Sequence, residues 1–211
     1  MVRVDIEFDE RELKKLTDAL KHIPKECQNG LISAINKSVK TTNTTMQKAI
    51  TQRYNIKKSD LSKSVKFNGY NSNNLIQLKL ATKTTNEANI LVRGSRLALV
   101  TARSMVSPKQ PKNHKGKTMK QIKRIAPPKV KILKSGQKIF AHAFVATTNR
   151  GITALFSRDK VTDKLIMRRT LSVAHMVRQK QIAEATQKAA KEALTKNVAH
   201  EIKYRLQKVS K

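Results

Sequence analysis

The chain has 211 residues and a formal net charge of +31, from 45 Lys and Arg against 14 Asp and Glu. Hydrophobic residues make up 38% and aromatics 4%, with no Trp, so the core must be thin and aliphatic, and oligomeric neighbours are expected to help bury it. A single cysteine, Cys27, excludes an internal disulfide, and no apolar run approaches the roughly 18 residues of a membrane helix, so a reducing, soluble compartment is expected.

Val2, Val4, Ile6 and Phe8 alternate with Arg3, Asp5 and Glu7, the pattern of a half-buried strand, and this acidic start does not read as a signal peptide. That strand is expected to join a neighbouring subunit's sheet. Asp9 with Glu12 resembles a capping box, and Leu13, Leu16 and Leu20 continue at helical spacing. From Pro24 to Tyr54 the pattern is again helical, with Leu31, Ile35, Val39, Met46 and Ile50 on one face; Gly30 and Thr41 to Thr45 predict a weak point there. Ser59 or Asp60 caps a short third helix through Val65.

The middle reads as strands: Leu75 to Thr82, Ile90 to Val92, Leu97 to Val100, Val130 to Leu133, Ile139 to Thr147 and Ile152 to Phe156. Gly94-Ser95, Ser135-Gly136 and Thr148 to Gly151 mark turns between them. Ser104 to Pro128 holds four of the five prolines and many lysines, the composition of a long arm that is mobile until bound. Ser172 to Val209 lacks Pro and Gly and predicts a long helix, along which Ala190, Leu194, Val198, Ile202 and Leu206 recur every four residues. So narrow a stripe suits packing on a neighbouring subunit. The expected fold is α+β: a mainly antiparallel sheet of five or six strands, flanked by N-terminal helices and a long C-terminal helix. The expected division is 1–23 for the first strand and helix, 24–171 for the core with its basic arm at 104–128, and 172–211 for the long helix.

Charge is unevenly placed. Asp5, Glu7, Asp9, Glu10, Glu12 and Asp18 put six of the fourteen acids in the first eighteen residues. From Ala88 to Arg158 there is no acid, but there are sixteen cations: Arg93, Arg96, Arg103, Lys109, Lys112, Lys115, Lys117, Lys120, Lys123, Arg124, Lys129, Lys131, Lys134, Lys138, Arg150 and Arg158. An ordinary solvated face mixes signs, so this stretch reads as a surface for a polyanion. The run Lys109, Lys112, Lys115, Lys117, Lys120, Lys123, Arg124, Lys129, Lys131 and Lys134 is the candidate nucleic-acid-facing set. Between Phe67 and Phe140 the only aromatic is Tyr70, so base stacking on single strands is disfavoured, and non-specific contact with duplex backbone fits better.

No catalytic constellation is apparent. His22, His114, His142, His175 and His200 are scattered, and no phosphate loop or nucleophile elbow occurs, so no metal, no cofactor and no enzymatic activity are expected. Asp159 with Asp163 is the one tempting carboxylate pair, and a polar turn after Arg158 is the plainer reading.

Several segments together resemble the minor tail protein Z family of long-tailed bacteriophages. They are Ala34-Ile35-Asn36-Lys37; the basic turn Arg53-Tyr54-Asn55-Ile56-Lys57-Lys58; Gly94 to Leu99; Ala143-Phe144-Val145-Ala146 followed by Gly151 to Phe156 and Arg158; and Ser172-Val173 with Met176. Thr170-Leu171 and Ala174-His175 stand where that family carries prolines. The resemblance implies a virion protein that completes the head-proximal end of the tail as a ring, expected to be hexameric, at the head–tail junction. Its implied partners are further copies of itself, tail terminator, tail tube or tape-measure proteins, head-completion and connector proteins, and genomic DNA in the channel, with no membrane. It would sit in the tail or neck, after assembly in the host cytoplasm. The alternative is a free, non-sequence-specific DNA- or RNA-binding protein; a nuclease using Asp159 and Asp163 is a third.

Overall fold

A computed structural model describes residues 2–4, 10–62, 66–67, 70–71, 75–85, 87–92, 96–98, 106–107, 128–140, 142–147, 153–159 and 161–209. The expected turns at Gly94-Ser95 and Thr148 to Gly151 lie outside these residues, as does the arm apart from Val106–Ser107 and Pro128.

Two 30-residue helices, α2 (Pro24–Arg53) and α5 (Lys180–Val209), dominate the fold, each about 45 Å long at 1.5 Å per residue. They run antiparallel, since Arg53 meets Gln181 at one end and Glu26 meets Arg205 and Lys208 at the other. Pro24 opens α2 with its φ already set for a helix. The expected weak point does not interrupt α2. Thr41, Thr42 and Thr44 donate their hydroxyls to the carbonyls of Lys37, Ser38 and Lys40, one turn back, so each satisfies its polar group without leaving the helix. Gly30, Ala34, Ser38 and Thr42 form a buried row of small side chains at four-residue spacing, which lets α5 approach closely. Asn197 of α5 donates to Ser38 Oγ across this seam at 2.9 Å.

The first helix, α1 (Glu10–Ala19), buries Leu16, and just past its end Leu20 is fully buried too. Both join Cys27 and Ala34 of α2 and Leu194 and Val198 of α5 in one apolar cluster. The stripe on α5 is therefore filled within the chain: Ala190, Leu194 and Val198 are buried, Ile202 is partly buried against the cluster, and Leu206 alone is exposed. Sequence periodicity located the stripe, and within the chain α1 and α2 pack against its Leu194 and Val198.

A larger cluster joins the second half of α2 to the strands. Among the described residues, all strand pairings are antiparallel. β1 (Val2–Val4), β5 (Asn89–Val92) and β4 (Ile76–Lys79) pair in the order β1-β5-β4. The N-terminal strand thus pairs within its own chain, Val2 opposite Val92, and forms one edge of that sheet. β2 (Lys66–Phe67) and β3 (Tyr70–Asn71) make a small hairpin, and α3 (Lys58–Ser62) precedes them. The largest sheet orders β10 (Ala143–Thr147), β11 (Thr153–Arg158), β12 (Leu165–Ser172) and β6 (Arg96–Ala98) as β10-β11-β12-β6. β7 (Val106–Ser107), β8 (Lys129–Val130) and β9 (Lys138–Ile139) form the last sheet. The fold is α+β, built on several small antiparallel sheets rather than one of five or six strands. The expected strand Ile139 to Thr147 is split between β9 and β10. The expected final helix is also divided: α4 (Val173–Val177), capped by Ser172 Oγ accepting from the His175 N–H, breaks at Arg178 before α5 begins.

Candidate nucleic-acid interface

The cations fall into two environments. The first is the seam between α2 and α5, where Glu201 is 2% exposed. Its Oε1 accepts from Lys37 Nζ at 2.7 Å and from Ser33 Oγ at 2.6 Å, and its Oε2 accepts from Arg205 Nε at 3.1 Å. Arg205 also donates to Glu26, which accepts from Lys208 Nζ at 3.1 Å as well. Burial pushes Glu201 up, but the bonds from Lys37 and Ser33 and the nearby charges outweigh it and hold the carboxyl below its usual range. Glu26 is lowered too, by Lys208 first and then Arg205. Gly30 makes room for this network, because a Cβ there would lie 3.1 Å from Arg205 Nε.

The second environment is at the other end of α2. There the helix stops because Tyr54 turns to extended backbone, with φ −100° and ψ 146°. Tyr54 is buried and bridges to Leu133, and its burial raises the phenol above its ordinary pKa. The N–H of Asn55 donates to the carbonyl of Ile132 at 2.9 Å, and the N–H of Lys134 to that of Arg53 at 3.0 Å. These bonds fasten the 51–59 turn to the β8–β9 hairpin, segments far apart in sequence. Ile56 and Val130 point inward and are buried. Lys57, Lys58, Lys129, Lys131, Lys134 and Lys138 are all exposed. Neither 51–59 nor 128–140 contains an acid. Among the described residues, no salt bridge involves Lys57, Lys129, Lys131, Lys134 or Lys138.

Of the candidate nucleic-acid-facing set, Lys129, Lys131 and Lys134 lie together on this hairpin. Lys109, Lys112, Lys115, Lys117, Lys120, Lys123 and Arg124 lie outside the described residues. Sequence reasoning did not connect the hairpin with Lys57 and Lys58, which it had noted only as part of a basic turn. The available signal was the absence of acids from 51–59.

The family-like segments have identifiable structural duties. Asn36 clamps the backbone of Ala81, donating to its carbonyl at 3.0 Å and accepting from its N–H at 2.7 Å. Arg53 donates to Gln181 and ties the turn to the start of α5. Phe144 and Phe156 pack side by side across β10 and β11, with ring centroids 6.4 Å apart.

The tempting carboxylates belong to the turn between β11 and β12. Asp159 Oδ1 accepts from the N–H groups of Val161 and Thr162, and the Thr162 N–H bond is the first cause of its lowered pKa. Asp163, at φ 53°, pairs with Arg158 at 2.8 Å. Among the described residues, no group of three or more His, Cys, Asp or Glu could hold a metal ion, and no helix is long and apolar enough to cross a membrane.

No curated protein and no solved structure matches the chain. The family model described as prophage minor tail protein Z matches residues 11–211. The chain belongs to the prophage minor tail protein Z family and has a structural role in a phage tail.

Proposed function

We propose that the protein completes the head-proximal end of the tail as a homo-oligomeric ring of six subunits at the head–tail junction, around the channel that the DNA occupies. The observation that carries this reading is the exposed basic surface at the end of α2, made of two acid-free segments in a chain of net charge +31. A wall beside DNA needs cations that contact phosphate without reading sequence, and needs no chemistry of its own. The arm cations Lys109 to Arg124 would extend the same wall. In this role the protein acts without catalysis. Its neighbours are tail terminator, tail tube or tape-measure proteins on one side and head-completion or connector proteins on the other.

The test is light scattering with negative-stain imaging of purified protein, alone and with tail tubes, at low and high salt. Rings, free or seated on tube ends, are the expected result. A chain that stays monomeric throughout and is absent from tails overturns the reading and favours a free nucleic-acid-binding protein.

A further inference from the structure

We propose that the 51–59 turn and the β8–β9 hairpin form one composite phosphate-binding surface for duplex DNA, complete within each single subunit. It rests on the reading of the chain as a wall of the DNA channel, and names the residues of that wall and the form of nucleic acid it takes.

The first ground is pre-organisation. Lys57 and Lys134 come from distant parts of the chain, yet the Asn55–Ile132 and Lys134–Arg53 backbone bonds and the Tyr54–Leu133 bridge fix their segments together. Buried Val130 and Ile56 anchor the two segments to the core from below. Cations held on a rigid frame lose little backbone entropy when phosphates arrive. The second ground is charge. Lys37, Arg205 and Lys208 at the other end of α2 are neutralised by carboxylates, whereas Lys57, Lys129, Lys131, Lys134 and Lys138 have no described carboxylate partner.

The third ground selects the form of the ligand. Single-strand platforms stack bases on exposed rings. Here the ring of Tyr54 is 2% exposed, Phe140 is half-buried against the core, and the exposed apolar side chains of the two segments are the aliphatic Leu133 and Ile139. Lysine ammonium groups are point charges that suit phosphate without specifying bases. A duplex, with one charge per roughly 1.7 Å of axis, is the polyanion such a surface holds best.

The experiment measures binding of the full chain to a short random-sequence duplex and to a poly-dT strand of equal length, by fluorescence anisotropy across roughly 50 to 200 mM salt. Three variants are compared: Lys57→Gln, Lys131→Gln with Lys134→Gln, and the arm pair Lys112→Gln with Lys115→Gln. The wild type is expected to prefer duplex. Lys57→Gln should flatten the log–log salt slope by about one unit, and the hairpin pair by about two, with an affinity loss of about five- to tenfold per lysine at 100 mM salt. Unchanged circular dichroism would show that these exposed substitutions leave the fold intact. Equal or stronger binding of poly-dT overturns the inference. So does full duplex affinity in the turn and hairpin variants with loss only in the arm pair, an outcome that leaves the channel reading standing. No duplex binding by the wild type at the lowest salt, in a protein that still forms rings, also overturns this inference alone. Absence of both rings and binding removes the two together.

Discussion

The two ends of α2 carry similar cations in opposite surroundings. At its start, Arg205 and Lys208 reach Glu26, and Arg205 with Lys37 reaches Glu201, so charge is neutralised inside a helical seam. At its end, Lys57, Lys131 and Lys134 stand on a rigid frame whose segments contain no acid. The difference lies in what a lost cation leaves behind. In the seam, a missing partner strands a buried carboxylate; on the hairpin, it leaves only water. The same residue type is therefore structural at one end and free for a polyanion at the other, which net charge alone does not reveal.

The sharpest way to break this contrast is Arg205→Ala. It leaves Glu201 short of a partner in the seam and should cost about 3 kcal/mol or more in urea unfolding. Replacing Arg205 and Glu201 together by Met should cost less, because the buried carboxylate goes with its partner, Glu26 keeps Lys208, and Lys37 is exposed enough to be solvated. Equal losses in the single and double variants would mean that packing, and not charge, sets the seam. Leu194→Ala, at a fully buried position beside α1 and α2, is expected to cost about 3 kcal/mol in the same assay. A loss under 1 kcal/mol would show that the α5 stripe has another occupant in solution.

Acid should act on one end only. The carboxyls of Glu26 and Glu201 titrate lower in the folded chain than in the unfolded one, so their stabilisation is complete above the ordinary carboxylate pKa of about 4.3. It is lost as pH falls below that value towards their lowered folded pKa. Urea midpoints between pH 3 and pH 7 should fall on the acid side, and less steeply in Glu201→Gln. The smallest effect is expected on the hairpin: Lys131→Ala with Lys134→Ala should leave stability within about 0.5 kcal/mol, while weakening duplex binding as above. A large loss of stability would place those lysines among the structural cations.

Much of the helical frame was legible from residue spacing, and its partners were not. The α5 stripe was located by its four-residue repeat, but periodicity says only that a face is covered, not by what. The Thr-rich part of α2 suggested a break because propensity counts threonine as weak; hydroxyl bonds back to the helix and packing against α5 overrode it. β12 was missed because Arg168-Arg169 interrupts its apolar pattern; Arg168 Nε bonds Ser157 Oγ at 2.7 Å on the neighbouring strand. Half of the candidate site was visible as an acid-free run. Its union with the 51–59 turn was not, because that depends on backbone bonds between segments with no pairing signal in their side chains.

The seam also sets the order in which the molecule can mature. Arg53 and Gln181 are 128 positions apart, and Glu26 and Lys208 are 182 apart. A chain leaving the ribosome at about 5 to 20 residues per second exposes the small-residue row of α2 for many seconds before α5 emerges to cover it. Long-range closure of this kind is slow, and the surface it leaves open is adhesive in the meantime. Subunits should thus become competent for assembly into the tail only after α5 has docked and each copy has finished folding.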